Sequence, residues 1–402
     1  MKYKTDPRLQ KLVNKQVAFQ FHGEKLKFDL SMGLFSSFDI DAGSRLLLKS
    51  LAKEAPLGEY KKAIDTGCGT GVLGICLKKK YPEMQIKFQD RDALAVSFTA
   101  HNAALNEIIL HKKDLHTGLL LDNTEAGSQD LIICNIPAKA GDHVISDFIF
   151  KASSTITPEG RVAVVIVDSL KEVVSDAIKA CGAHVIHTEA TKMHSVFHFG
   201  AGTETRELNF DRYIRHTGRF KLIEDKYKLS TVYNLPDFDQ LSYWIHVSGE
   251  ILYKTSFSGK ALFWNPGQGH LPVWLNSRMT NEFKSINIAS RDSLQNKITE
   301  YNLSKVYEGE VESALVPDEV YLKDLYQEEE FSCVFLNLDP IPKVKWHQDL
   351  AATALRLTRT GKFCFIMGRS SDMSQLEKHL KGFKTIEDDR FKGNRGMLLK
   401  KK

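Results

Sequence analysis

The chain has 402 residues, with 55 Lys and Arg against 50 Asp and Glu, for a formal net charge of +5. That length exceeds one ordinary domain and predicts two or three. A hydrophobic fraction of 42% with 26% charged residues excludes a disordered or fibrous chain, and the mildly basic balance permits a nucleic-acid partner without demanding one.

The opening stretch, "MKYKTDPRLQKLVNK", is polar and charged, so no secretory signal is expected. "FQFHGEKLKFDL" (Phe19 to Leu30) is an alternating run, a polar turn and a second alternating run, which predicts a β-hairpin. "GLFSSFD" (Gly33 to Asp39) follows. Apolar runs then alternate with helical patterns. "KAIDTG", "QIKFQD", "DLIICN", "RVAVVIVD" and "SVFHFG" are predicted strands, with helices at Val72 to Lys80 and Ala93 to Leu105 between them. Asp114, in "HKKDLHTG", falls where a further strand should end. Continuously apolar strands separated by helices predict a mostly parallel sheet with helices on both faces. "GAGTETRE" (Gly200 to Glu207) is polar and glycine-rich and reads as a join.

Beyond the join the chain repeats itself. "FKLIEDKYKLST" (Phe220 to Thr231) resembles the first hairpin, and "NLPDFD" (Asn234 to Asp239) resembles "GLFSSFD". "ALFWNPGQGHLPVWL" (Ala261 to Leu275) has the rhythm of "AIDTGCGTGVLGICL" (Ala63 to Leu77). "IASRDSL" matches "FQDRDAL", and "VFLNLDPIPKV" matches "LIICNIPAKAG". The order and the nearly constant offset predict two α/β domains of one Rossmann-like fold in tandem, over residues 1–205 and 206–402. No run of about 18 apolar residues occurs, so no transmembrane helix is expected. None of the six cysteines forms a C-x-x-C pair, and most sit in apolar runs. That pattern predicts reduced core thiols of a cytoplasmic protein and no metal site.

Gly67, Gly69 and Gly71 follow a strand and open a helix, and Gly69-x-Gly71-x-x-Gly74 also satisfies a dinucleotide fingerprint. The turn brings backbone close to a ligand without side chains in the way. Asp65, two residues before Gly67, would repel a pyrophosphate, whereas a ligand carrying an ammonium and a sulfonium suits a carboxylate there. That favours S-adenosylmethionine over a nicotinamide cofactor. Asp90, ending the next strand, is a candidate acceptor for ribose hydroxyls. Asp114 is a candidate contact to adenine. As alternatives, Asp65 could cap a helix and Asp90 or Asp114 could form turns.

Asn135 and Pro137 follow the strand "DLIICN". Together, "GLFSSFDIDAGSRLLLKSL", "DTGCGTG", "QDRDALAV" and "NIPA" resemble the small-domain class I methyltransferases that modify guanine in ribosomal RNA. The resemblance covers roughly residues 19–167. It implies S-adenosylmethionine contacts from Phe35, Ser36, Asp41, Asp65, Gly67, Gly69, Asp90 and Asp114, and a role toward the target amine for Asn135. An asparagine oxygen and a neighbouring carbonyl can accept both N–H bonds of an aromatic amine, holding its nitrogen in line with the methyl. Ile136 and Ala138 depart from the family's N-P-P-F, and Ala138 removes the ring on which a flipped base would stack. The bland alternative is that Asn135 caps a turn.

In the second half Phe263, Asn265 and Ser290 stand for Asp65, Gly67 and Asp90, and Phe263 and Trp264 are expected to fill the turn. This copy is expected to be catalytically dead and to serve as a substrate platform. In the family the degenerate copy lies N-terminal, so the order here is reversed. Arg212, Tyr213, Arg215 and Arg219 in "DRYIRHTGRF", and the tail "RFKGNRGMLLKKK", are candidate RNA contacts. The alternatives keep the fold but methylate a protein amide or a small molecule, or keep the pocket in a non-catalytic RNA-binding or assembly protein. His194 and His198, on one strand face, lack a carboxylate or cysteine partner for a metal. The oligomeric state is not legible.

Overall fold

The computed structural model describes residues 6–206 and 209–402. The first five residues, and Glu207 at the end of the expected join, lie outside the described residues. The chain forms two compact units that divide between Tyr213 and Ile214. The expected boundary at 205/206 falls short of this. The reason is Asp147, only 2% exposed. Its carboxylate accepts from Arg206 Nη1 at 2.7 Å and from Arg212 Nε and Nη2 at 2.8 Å each. Burial alone would raise the Asp147 carboxyl, but the two guanidiniums outweigh it and hold it below its usual range. The Arg206 guanidinium also stacks 3.9 Å from the Phe150 ring centroid. The segment after the last strand is therefore bound to the first unit.

In the first unit α1 (Pro7–Gln10) precedes the hairpin of β1 (Lys15–Phe21) and β2 (Glu24–Leu30). His22 and Gly23 have φ of 47° and 86°, the left-handed pair that a tight two-residue hairpin turn requires. Then come α2 (Ala42–Glu54), β3 (Lys62–Thr66), α3 (Val72–Lys80), β4 (Gln85–Asp90), α4 (Ala93–Leu105), β5 (Leu115–Thr117) and β6 (Gln129–Asn135). The unit closes with α5 (Asp142–Thr155), β7 (Ile156–Val167), α6 (Lys171–Ala180), β8 (Val185–Ala190) and β9 (His194–Phe199). The seven strands lie in the order β5-β4-β3-β6-β7-β9-β8, parallel except for β9, which is antiparallel to both its neighbours.

The strands alternate between two cores. Leu131, Ile133, Ala163 and Val165 pack with Leu47, Leu51 and Leu73 on one face. Ile132, Cys134, Val162 and Val164 pack with Phe148, Ile149, Val174 and Ile178 on the other. A period of two with both faces apolar is what a sheet covered on both sides needs. The order reverses between β3 and β6, so their carboxyl ends flank the switch-point crevice where such sheets bind ligands.

The second unit repeats this plan. Its hairpin is β10 (Ile214–Leu222) and β11 (Asp225–Val232), followed by α7 (Tyr243–Leu252), β12 (Ser258–Trp264), α8 (His270–Ser277), β13 (Glu282–Ser290), α9 (Ser293–Leu303) and β14 (Glu310–Leu315). It continues through α10 (Leu322–Leu325), β15 (Phe331–Asn337), α11 (His347–Leu357), β16 (Thr358–Arg369), α12 (Ser370–Leu376), β17 (Phe383–Phe391) and β18 (Asn394–Lys401). The order β14-β13-β12-β15-β16-β18-β17 is the first sheet's order again. Phe263 and Trp264 lie within β12, on opposite core faces, and not in the turn as expected.

Each unit has the same internal brace. Asn102 on α4 accepts from Asp29 N at 2.8 Å and donates to Asp29 O and Thr70 O, tying hairpin and glycine loop to the helix. Asn302 on α9 does the same with Ser230 and Gln268 O.

Candidate functional site

The site assembles at the carboxyl ends of β3, β4 and β6. Gly67, Gly69 and Gly71 have φ of 70°, 56° and 84°, so the turn from β3 to α3 is left-handed at each. They do different work. A Cβ at Gly69 would meet nothing within 4 Å, and one at Gly67 only the Cys134 sulfur at 3.9 Å, so this part of the loop faces open space. A Cβ at Gly71 would lie 2.6 Å from Ile75, and one at Gly74 2.4 Å from the Phe88 ring, so these two allow helix and sheet to pack closely.

Asp65 is wholly buried on β3. Its Oδ2 accepts from Gly74 N at 2.8 Å, and Oδ1 has no hydrogen-bond partner. Burial pushes its carboxyl up to about 7, the Gly74 N–H opposes that, and the nearby Asp90 charge adds to the rise. An orphaned buried carboxylate oxygen beside an open glycine loop fits a ligand that brings a positive charge. Asp90 ends β4. Its Oδ2 accepts from Gly69 N at 2.9 Å and its Oδ1 from Asp92 N at 3.0 Å. Burial pushes it up to about 6 against those two amides.

Asn135 ends β6, and Ile136 N beside it donates to Val165 O on β7 at 2.9 Å. Asn135 Nδ2 donates to Asp41 Oδ2 at 2.7 Å and to Ser44 Oγ at 3.1 Å. Asp41 is the N-cap of α2, its Oδ2 also accepting from Ser44 N at 3.1 Å. Pro137 starts a single turn over 138–140, and Ala138 is exposed. Phe35, 75% exposed, and Ser36, with φ of 60°, lie on the loop ahead of Asp41. Asn14 Nδ2 and Lys15 Nζ hold that loop by the carbonyls of Ser37 and Phe38.

Asp114 is not part of this group. It precedes β5, whose Leu115 pairs with Phe88 and whose Thr117 pairs with Asp90, so it sits at the opposite end of the strand. Its carboxylate caps a short turn by accepting from His111 N at 2.8 Å, and its charge acts on Lys78 in the last turn of α3. The expected strand end was placed one strand length too early. The carboxyl end of β5 carries Gly118, whose N–H bonds Asp90 O, and Asp122, which accepts from Gln89 Nε2 at 2.9 Å and contacts His116 Nε2 at 2.9 Å. Three-residue β5 is too short for its position to show as an apolar run.

The four candidate RNA contacts divide between the units. Arg212 is held by Asp147, and half-buried Tyr213 stacks on Phe210 with ring centroids 5.5 Å apart, both in the first unit. In the second unit Arg215 pairs with Asp239 at 2.8 Å and lies over the Phe238 ring, while Arg219 is exposed on β10. The basic tail is a sheet hairpin. Arg395 is buried against Glu377 and Asp388, Met397 to Leu399 are core, and Lys401 pairs with Glu329. His198 is buried between Ser50 and Arg161, and burial followed by the Arg161 charge pushes it down to about 3.

Residues 25–196 match the methyltransferase small domain. That match lies within the first unit. The chain is similar to "Ribosomal RNA large subunit methyltransferase G" of Shewanella frigidimarina, 33% identical over 150 residues, covering 33% of this chain and 37% of that one. It is similar to the protein of the same name from Shewanella pealeana, 33% identical over 131 residues, covering 31% of this chain and 30% of that one. The chain thus spans about a third of those relatives' length. Among solved structures, a T. thermophilus 16S rRNA N2 methyltransferase in complex with AdoMet and guanosine matches with a TM-score of 0.66 at 14% identity, over 98% of this chain and 100% of that one. At that identity the likeness concerns the fold: two tandem Rossmann-like units. Among the described residues no helix is long and apolar enough to cross a membrane, and no group of three or more His, Cys, Asp or Glu is placed to hold a metal.

Proposed function

We propose that the methyltransferase small domain binds S-adenosylmethionine and methylates an exocyclic amine of an RNA base, guanine of ribosomal RNA in the first instance. The observation that carries this is Asn135, whose amide nitrogen is held from behind so that its oxygen is left for a target amine. The named activities of the relatives agree with it.

The chain's own residues divide the work. Gly67 and Gly69 leave room for the cofactor backbone, Asp65 Oδ1 faces its ammonium end, and Asp90 accepts from its ribose. When bound, the cofactor supplies an electrophilic methyl group. Asn135 Oδ1 and a carbonyl of the loop after it accept the two N–H bonds of the amine. This turns the nitrogen lone pair out of the ring's conjugation and toward the methyl. As the C–N bond forms the sulfur–methyl bond would break, and the amine proton, acidic by then, would pass to solvent water, so no strong base is required. The second unit serves as a substrate platform, and the protein works in the cytoplasm, where its six buried thiols stay reduced.

The test is methyl transfer from labelled S-adenosylmethionine to RNA isolated from cells lacking the protein. Label in guanine of ribosomal RNA is expected. Label appearing only in protein, at a glutamine amide, would replace RNA as the substrate. No transfer despite cofactor binding would point to an assembly protein.

A further inference from the structure

The geometry points to Asp41 as a positioning residue that sets which way the Asn135 amide faces, and Ser44 as its helper. This rests on the proposed amine-methylating function and adds to it a residue that never touches the cofactor or the amine. The resemblance alone would place Asp41 against the cofactor.

A carboxylate oxygen accepts hydrogen bonds and donates none while ionised. The atom of Asn135 that lies 2.7 Å from Asp41 Oδ2 is therefore its nitrogen. The second N–H of the same group goes to Ser44 Oγ at 3.1 Å. Both donors are occupied, and the oxygen is the remaining polar atom of the side chain. Without this arrangement the amide could turn over and present N–H to an amine, which would repel it. Asp41 is itself fixed, because the same Oδ2 caps α2 through Ser44 N. Gly43 makes space for it, since a Cβ there would lie 2.9 Å from Asp41 Oδ2 and 3.1 Å from the His194 ring.

The second unit supplies an independent observation. The N-cap of α7 is Ser242, at the place of Asp41 on α2. Asn337, which ends β15 as Asn135 ends β6, donates its Nδ2 to Asn265 O at 3.1 Å instead. Asn265 Nδ2 returns a bond to Asn337 O at 3.3 Å. Where the aspartate is a serine, the asparagine turns its nitrogen into the glycine loop and ties the loop to the strand.

The experiment uses the full chain with three substitutions. Asp41→Ser keeps a cap and removes the reach to Asn135. Asp41→Asn keeps an acceptor oxygen at the same distance and removes the charge. Asn135→Ala assigns the Asn135 side-chain NH2 signal by its disappearance from nitrogen-15 NMR spectra. In Asp41→Ser that signal is expected to lose its hydrogen-exchange protection, and in Asp41→Asn to keep it. Turnover on ribosomal RNA is expected to fall on the order of 10²-fold in Asp41→Ser, as for a reacting group misplaced by about 1 Å. The dissociation constant for S-adenosylmethionine is expected to hold, and Asp41→Asn to recover most of the lost turnover. Loss of cofactor affinity in both variants would overturn the inference in favour of a charge contact to the cofactor. Unaltered protection and turnover in Asp41→Ser would overturn it outright. A wild-type protein inactive on RNA would sink the proposed function alone, because the NMR arm still decides the orientation.

Discussion

The two glycine loops have the same backbone and different chemistry. Gly67, Gly69 and Gly71 have φ of 70°, 56° and 84°, and Asn265, Gly267 and Gly269 have 50°, 62° and 87°. Asparagine tolerates the left-handed region, so the second loop keeps its path. Around it the groups proposed to face the ligand are replaced by groups bonded within the protein. Phe263 replaces buried Asp65 and stacks on Phe335, ring centroids 4.6 Å apart and planes 5° from parallel. Gly267 N donates to Gln295 Oε1 at 3.1 Å, where Gly69 N donates to Asp90. Ser290, at the place of Asp90, spends its hydroxyl on Asn296 and Asp292 O. The orphan oxygen of Asp65 has no counterpart. The strand-turn-helix keeps its architecture in both units because the brace, the left-handed turn and the two cores do not require Asp65 or Asp90.

The largest effect that tests this contrast is at the paired asparagines. Asn135→Ala is expected to lower turnover on the order of 10²- to 10³-fold, as loss of a preorganised polar group at a reacting centre does, with cofactor affinity nearly intact. Asn337→Ala is expected to leave turnover alone. Steady-state rates together with cofactor titration check both, and equal losses in the two variants would end the view that one unit carries the chemistry.

Next in size is Asp90, the proposed acceptor for the ribose. Asp90→Ala is expected to weaken S-adenosylmethionine binding by on the order of 1.5–3 kcal/mol, the range for a bond to a charged group. Calorimetry on the wild type is expected to give one site per chain. Two equivalent sites would show that the second loop had kept a function its side chains deny. Ser290→Asp is not expected to create a second site, since Phe263 and Gln295 still fill it.

Much of this contrast is legible in the sequence. Val72–Lys80, Ala93–Leu105 and Gln85–Asp90 follow from local pattern, because burial on a fixed period dictates them. The repeat makes the second half a commentary on the first: Asp65, Gly67 and Asp90 stand out because Phe263, Asn265 and Ser290 do not match them. What local pattern does not carry is partnership across long separations. Nothing near Arg212 signals Asp147, 65 positions away, and nothing near Asn135 signals Asp41, 94 away. Asn102 and Asn302 were available as a repeated residue at fixed offset, but an asparagine inside a helix gives no hint that it braces a hairpin. Asp114 failed for a different reason. Its strand end was read from sequence order, and the three-residue strand begins after it.

Protonation gives a smaller effect that again separates the units. Asp65 titrates at about 7 and Asp90 at about 6, both above the ordinary carboxylate value of 3.8. A raised carboxyl means that the folded protein holds these protons more tightly than the unfolded chain. The ligand-free protein is therefore expected to lose stability as pH rises from about 4 to about 7. A cationic ligand favours the ionised acids, so the sign reverses for binding. Affinity for S-adenosylmethionine is expected to strengthen from pH 5.5 to 7.5, by up to about tenfold for each pH unit over which one proton is released. Calorimetry in buffers of different ionisation enthalpy counts those protons. A flat pH profile would mean that neither acid meets the charge of the ligand.

The smallest effect is at Arg219, which lies in a different unit from Arg212. Arg212 shares buried Asp147 with Arg206, so Arg212→Ala removes two hydrogen bonds to a carboxylate that keeps a single partner. A loss of about 1.5–3 kcal/mol of stability is expected in thermal or denaturant unfolding. Weaker RNA binding in that variant would then carry no information about contact. Arg219 is exposed on β10 and pairs with no carboxylate among the described residues, so the side chain can meet a phosphate directly. Arg219→Ala is expected to leave stability within about 0.5 kcal/mol, as surface substitutions usually do. If the second unit is a substrate platform, it is also expected to flatten the salt dependence of RNA binding by about 0.7–0.9 in log–log slope, the amount for one lost phosphate contact. Arg215 lies between these cases, paired with Asp239 yet stacked on Phe238, and Arg215→Lys separates charge from stacking. An unchanged slope in Arg219→Ala would reject Arg219 as an RNA contact and leave Arg215 as the candidate of the 212–219 segment in the second unit.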